Sequence, residues 1–196
     1  LHGAGILAWQ PGQFLLGTCC AACDGRCGEG PTGTGPGDRR QPPGRGLVSD
    51  TRRVYDSEDT LLFMLDNGGT VQFMGSSLTM PVERRFGDLE GVRRYLAAVR
   101  ERPWGFPDVP APEVRLRRGH TKAHWEDGVI ALPDGIGRKG WAMREVVVLH
   151  EYAHHVTWHT AGVTGHGQQF QQVYLGLLEH AVGPEAAFVV RAGLSA

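Results

Sequence analysis

One pentapeptide constrains this chain more than any other feature. His150-Glu151-Tyr152-Ala153-His154 directly follows the apolar run Val146-Val147-Val148-Leu149. Four residues advance an α-helix by about 400° and roughly 6 Å, so two imidazoles at this spacing leave the same face one turn apart. The apolar run predicts that the helix is buried in a core, and the pattern sets it at about 141–158. Two ring nitrogens so placed can grip one Zn²⁺ at about 2.0–2.1 Å. Glu151 sits beside the first ring without being needed as a ligand. It is in reach of a zinc-activated water, which makes it the candidate general base and acid.

A catalytic zinc takes three protein ligands and keeps one position open. Downstream of the motif stand His155, His159, His166, Glu179 and His180. His155 is turned about 100° from the ligand face, which suits the surface or a supporting role. The arrangement with glycine three and histidine six residues after the second ligand is excluded, because those positions hold Thr157 and Thr160. His166 opens a helical pattern after a glycine-containing loop long enough to turn the chain back, with Phe170 one turn on to anchor it. It is the first choice for the third ligand, with Glu179 and His159 as alternatives. If either supplied a fourth ligand, the site would be closed, and the chain would be a zinc-stabilised, non-catalytic binding protein. His159, Tyr152, Tyr174 and Arg138 are candidate donors to a developing oxyanion. Tyr152, between the ligands, is expected to point away into the core. His120 and His124 suit surface or packing roles, and Trp125 and Trp141 suit the core.

The rest of the chain supplies a mixed order of elements. Asp56-Ser57-Glu58 reads as a helix cap and acidic first turn before Leu61, Leu62, Met64 and Leu65, with Asn67-Gly68-Gly69 as the stop. Thr70–Met74 and Ser77–Met80 read as two strands around Gly75-Ser76. Asp88 caps a helix carrying Leu89, Val92, Leu96 and Val99, and Pro103 ends it. Val114 and Leu116 alternate with arginines as in a half-buried strand. His124–Glu126 and Val129–Leu132 form a hairpin about Asp127-Gly128, a favoured tight-turn pair. Gly167–Ala181 is a further helix, and Pro184 starts a last short one. These elements predict an α+β domain over 47–196, with a small mixed or antiparallel sheet packed on helices.

Residues 1–46 differ in texture. They hold 12 of the 29 glycines, 5 of the 12 prolines and only 7 charged residues. They have no apolar period and are read as a disordered extension. The chain begins with Leu1 rather than Met, and one reading sets the natural start near Val48. All four cysteines (Cys19, Cys20, Cys23 and Cys27) lie in the extension, without the paired spacing of a zinc knuckle. A cysteine-free remainder implies no disulfide framework and suits a cytoplasmic protein. The net charge of −1 excludes nucleic-acid binding driven by bulk charge, and no apolar run approaches the ~20 residues of a membrane span. The nine arginines of 84–118, interleaved with acids, read as a solvated mixed-charge face.

The motif together with His166-Gly167-Gln168-Gln169-Phe170 resembles the SprT-like and minigluzincin zinc metallopeptidases. Over most of 48–196 the chain resembles a family of metallohydrolases from actinobacteria. Arg53-Val54-Tyr55, the segment Gly75–Phe86, the segment Arg144–Glu151 and the segment Leu178–Ala187 carry that likeness. The resemblance implies a zincin-like fold, a zinc site at His150, His154 and His166, and Glu151 as catalytic acid/base. It implies a peptide or protein substrate, held in zincins as an added strand at a sheet edge; the hairpin 122–132 is the candidate edge here. SprT-like proteins often add a cysteine zinc ribbon that serves DNA binding. With no cysteine after Cys27, a nucleic-acid partner is not expected.

Overall fold

The computed structural model describes residues 49–118, 122–133 and 140–195. All of them fall within one unit, Arg45–Ala196. The extension 1–46 with its cysteines, the start near Val48, His120 and Arg138 lie outside the described residues.

Helix α1 spans Asp50–Asn67. Ser49, not the Asp56 cluster, caps it by accepting from the Arg52 N–H at 3.3 Å. The earlier start moves Glu58 from the expected first turn to mid-helix. Val54, Glu58 and Leu61 then share the buried stripe at i, i+4, i+7. Strands β1 (Thr70–Phe73) and β2 (Ser76–Thr79) form an antiparallel hairpin. Its turn is Met74-Gly75, one residue earlier than the sequence suggests. Both residues take positive φ (49° and 79°), as a two-residue hairpin turn demands. Asp88 caps α2 (Leu89–Arg100) through the Gly91 N–H at 2.7 Å, as expected.

The second sheet is mixed. Strands β3 (Glu113–Arg117), β4 (His124–Glu126) and β5 (Val129–Pro133) lie in the order β3-β5-β4. β3 runs parallel to β5, while β4 pairs with it antiparallel across the Asp127-Gly128 turn. Central β5 buries Ile130, Ala131 and Leu132 completely. Among the described residues, no strand pairs with the outer edge of β4.

The motif helix α3 runs Glu145–Ala161, not from Trp141. Residues Trp141–Met143 form a separate 3₁₀ turn. The reason is a pairing across the chain. The Phe86 N–H donates to the Met143 carbonyl at 2.8 Å, and the Glu145 N–H donates to the Arg84 carbonyl at 3.0 Å. Arg84 Nη1 meets Glu145 Oε1 at 2.6 Å, and Arg144 Nη2 meets Glu83 Oε2 at 2.6 Å. The Glu83 carboxylate also accepts from the Val146 N–H at 3.2 Å. A distant acid therefore satisfies an orphan donor of the first turn and complements the helix dipole. The arginine-rich stretch is thus solvated only in part. Arg84 makes this link, Arg93 donates to the Val114 carbonyl at 2.7 Å, and Arg100 donates to the Val109 carbonyl.

After α3, Gly162 (φ 66°) and Gly165 (φ 91°) reverse the chain through backbone conformations that favour glycine. Helices α4 (Gln168–Ala181) and α5 (Pro184–Leu194) follow, the latter longer than the expected short helix. α4 packs on α3 and α5, and α5 packs on α1. Among the described residues, no helix is long and apolar enough to cross a membrane.

Gly105 is a close-packing point between α2 and α3. A Cβ there would stand 1.7 Å from the Val99 carbonyl oxygen, and the Gly105 carbonyl accepts the Tyr152 hydroxyl at 2.8 Å. Gly105→Ala is expected to destabilise the fold by about 3 kcal/mol and lower Tm by roughly 10 °C in thermal unfolding.

Candidate metal centre

His150, His154 and His166 converge as a group. One ring nitrogen from each lies within 4.8 Å of the others. His150 Nε2 and His166 Nε2 are 3.0 Å apart, and His154 Nε2 and His166 Nε2 are 3.3 Å apart. Three nitrogens bound tetrahedrally at 2.0–2.1 Å would be separated by about 3.3 Å, so the spacing suits one ion with little rearrangement. α3 supplies the first two rings by its period. The glycine reversal returns His166, whose backbone is held by Gln171 Nε2 donating to the His166 carbonyl at 2.9 Å.

The protonation states also suit a cation. Burial, with His150 next and His166 after it, lowers the pKa of His154 to about 3. Burial, then His150, lowers that of His166 to about 4. Both rings are neutral near pH 7, as ligands must be. His150 is held differently. Its Nδ1 lies 2.7 Å from Glu58 Oε2, so the ring proton faces α1 and the Nε2 lone pair faces the cluster. Burial opposes charging this ring, but the Glu58 carboxylate outweighs it and raises the pKa. Glu58 is itself buried and also accepts the Tyr174 hydroxyl at 3.3 Å. Phe170 forms an apolar floor under the group, with its ring 4.3 Å from His154, 4.8 Å from His166 and 5.0 Å from His150.

Glu151 is buried beside the cluster at the wall of a cleft of about 480 Å³. Burial raises its pKa to about 7; His150 opposes the shift, Glu58 adds to it, and the Trp125 backbone N–H opposes it as a donor. His154, His166 and Tyr55 line the same cleft, facing Trp125 and Glu126 of β4 and Trp158 of α3.

The structure sorts the remaining candidates. Glu179 is exposed and pairs with Arg191 at 3.3 Å. His159 is exposed and packs on His155, with ring centroids 4.5 Å apart. Neither belongs to the histidine cluster. His180 stacks on Trp104. Tyr152 points into the core, as expected. The Tyr174 hydroxyl is taken by Glu58, so neither phenol faces the cleft. His155 is not a surface residue: it is 1% exposed. Trp125 is half-buried, packing against the core and also walling the cleft, and His124 lines the cleft too, with Nδ1 3.0 Å from Arg117 Nη1.

Two residues were missed by the sequence reading, and both come from α1. Glu58 is one; its signal was a carboxylate breaking an apolar stripe at helical spacing. Tyr55, three residues earlier on the same side, stacks on His150 at 5.4 Å and 13° and leans on His166 at 5.2 Å. Its pKa is raised by burial and by Glu151 and Glu58, so the phenol keeps its proton.

Comparison with family models, with curated proteins and with solved structures returns no match.

Elemental analysis of the purified chain is expected to find one zinc per molecule, lost in His166→Ala. Glu58→Gln is expected to fold but to weaken zinc binding about 10- to 100-fold in a chelator competition, because it frees the His150 ring to change tautomer.

Proposed function

We propose that this chain is a zinc-dependent metallohydrolase of zincin-like fold that cleaves amide bonds in peptides. The observation that carries the reading is the three-histidine cluster with a buried glutamate beside it, reached from one cleft through His154, His166 and Glu151. The three-ligand set with a cleft supports an enzyme over a closed structural site. The resemblance to the SprT-like and minigluzincin peptidases supports the same reading.

Zinc held by His150, His154 and His166 would supply a Lewis acid that polarises the scissile carbonyl and makes water a nucleophile near neutral pH. Glu151 takes the proton of the attacking water and passes it to the leaving amine. Its raised pKa suits both directions of transfer. Tyr55 faces the cleft with a protonated phenol and donates a hydrogen bond to the substrate oxygen as negative charge develops there. Glu58 keeps the His150 ring oriented, and Phe170 keeps water away from the far side of the cluster.

The substrate backbone lies along the free edge of β4. The Asp127-Gly128 turn makes Glu126 and Val129 a hydrogen-bonded pair, so Trp125 and Ile130 are the non-bonded pair that follows. The N–H and C=O of Trp125 therefore face outward, and an extended peptide can pair with them.

Casein or a peptide library would test the reading. Wild type is expected to turn over. Glu151→Gln is expected to lose about 1,000-fold in kcat while its zinc content is unchanged. Turnover retained in that variant rejects the general-base role. Tyr55→Phe is expected to lower kcat about 100-fold with little change in KM.

A further inference from the structure

α3 carries a second pair of side chains at the ligand spacing. Glu151 and His155 are four residues apart and share a face about 100° round from His150 and His154. Both act on one residue of the sheet edge. The Trp125 backbone N–H lowers the pKa of the Glu151 carboxyl, against the burial that raises it. The Trp125 indole Nε1–H donates to His155 Nδ1 at 3.0 Å. Because Nδ1 accepts, the ring proton is on Nε2, which donates to the Pro110 carbonyl at 2.8 Å. His155 is buried, so both nitrogens are matched where water cannot substitute.

β4 has three residues and, among the described residues, one hydrogen-bonded neighbour strand. Such a short edge strand is weakly fixed by its own ladder. Its position relative to α3 needs a second anchor, and the indole is that anchor. We propose that His155 is a positioning residue: by holding the Trp125 indole, it sets how far the free edge of β4 stands from the ligand face of α3. That distance fixes both the seat of Glu151 and the width of the groove for an extended chain. The occupant of the groove rests on the peptidase reading; the clamp does not. An error of about 1 Å in such a seat can lower a rate about 100-fold.

Three variants of the zinc-loaded full chain test this. Trp125→Phe removes the indole N–H and keeps an aromatic ring. His155→Phe removes the acceptor, and His155→Asn restores one near the position of Nδ1. Two probes separate positioning from general damage. Acetohydroxamate contacts little beyond a metal, whereas Pro-Leu-Gly hydroxamate also needs the groove. In both Phe variants, the dissociation constant of Pro-Leu-Gly hydroxamate, measured by titration calorimetry, is expected to rise about tenfold, with that of acetohydroxamate within about twofold and casein kcat about tenfold lower. His155→Asn should recover most of each loss. The double Phe variant should be no worse than either single one, because both break the same link. Wild-type values for the extended probe in both Phe variants, or equal weakening of both probes, overturn the proposal. If His155→Phe does not fold, Trp125→Phe decides. Absence of casein turnover in wild type, with the split between the two hydroxamates intact, sinks the peptidase reading and leaves the clamp standing.

Discussion

A helix that is apolar on nearly every side has to be covered on every side, and α3 is such a helix. From Glu145 to Thr157, every residue but His154 is buried. β4 and α4 pack against it, while α1 reaches it through Tyr55 and Glu58. The few polar groups inside this cover must each find a partner, because an unmatched buried polar group costs about 1–3 kcal/mol. Glu145 is met by Arg84, His150 by Glu58, and His155 by Trp125 and Pro110. Thr157 donates back to the Ala153 carbonyl at 2.7 Å. Burial of α3 and assembly of the site are therefore one event. The partners that satisfy its polar groups are the same residues that bring α1, the sheet and the 83–86 segment into place.

The legible part of the site was the part encoded by one helix. The spacing of His150 and His154 fixes their common face before any tertiary contact forms. His166 was legible because Gly162, Gly165 and Phe170 bracket it with the signals of a reversal and a packed helix. Glu58 was not legible as a partner of His150, because the two are 92 residues apart and meet only when α1 docks. Misreading the start of α1 hid it further. A carboxylate expected in a first turn is solvated, whereas one at mid-helix on an apolar stripe must be matched. The start of α3 failed for a similar reason. Nothing local stops the helix at Glu145; the 83–86 segment does, by pairing with residues 143–145.

Fold class was legible to the level of α+β because periods and turn residues are local. The parallel pairing of β3 with β5 was not. Both β3 and β4 could flank β5 from either side, and which neighbour leaves its edge free is decided by what covers the other. β3 is covered by α2, helped by Arg93 reaching the Val114 carbonyl. β4 instead faces α3 and the cleft.

An uncovered strand edge is ordinarily a hazard, since unpaired N–H and C=O groups invite other chains to add on. Here two features limit it. The strand has three residues, so an added chain finds few places to pair. Glu126 is exposed beside the turn and puts a carboxylate at the tip. His124, Trp125 and Glu126 also line the cleft that holds Glu151, His154 and His166. A chain adding to this edge would have to fit that cleft as well as pair with the strand, so the walls of the cleft restrict what the open edge accepts.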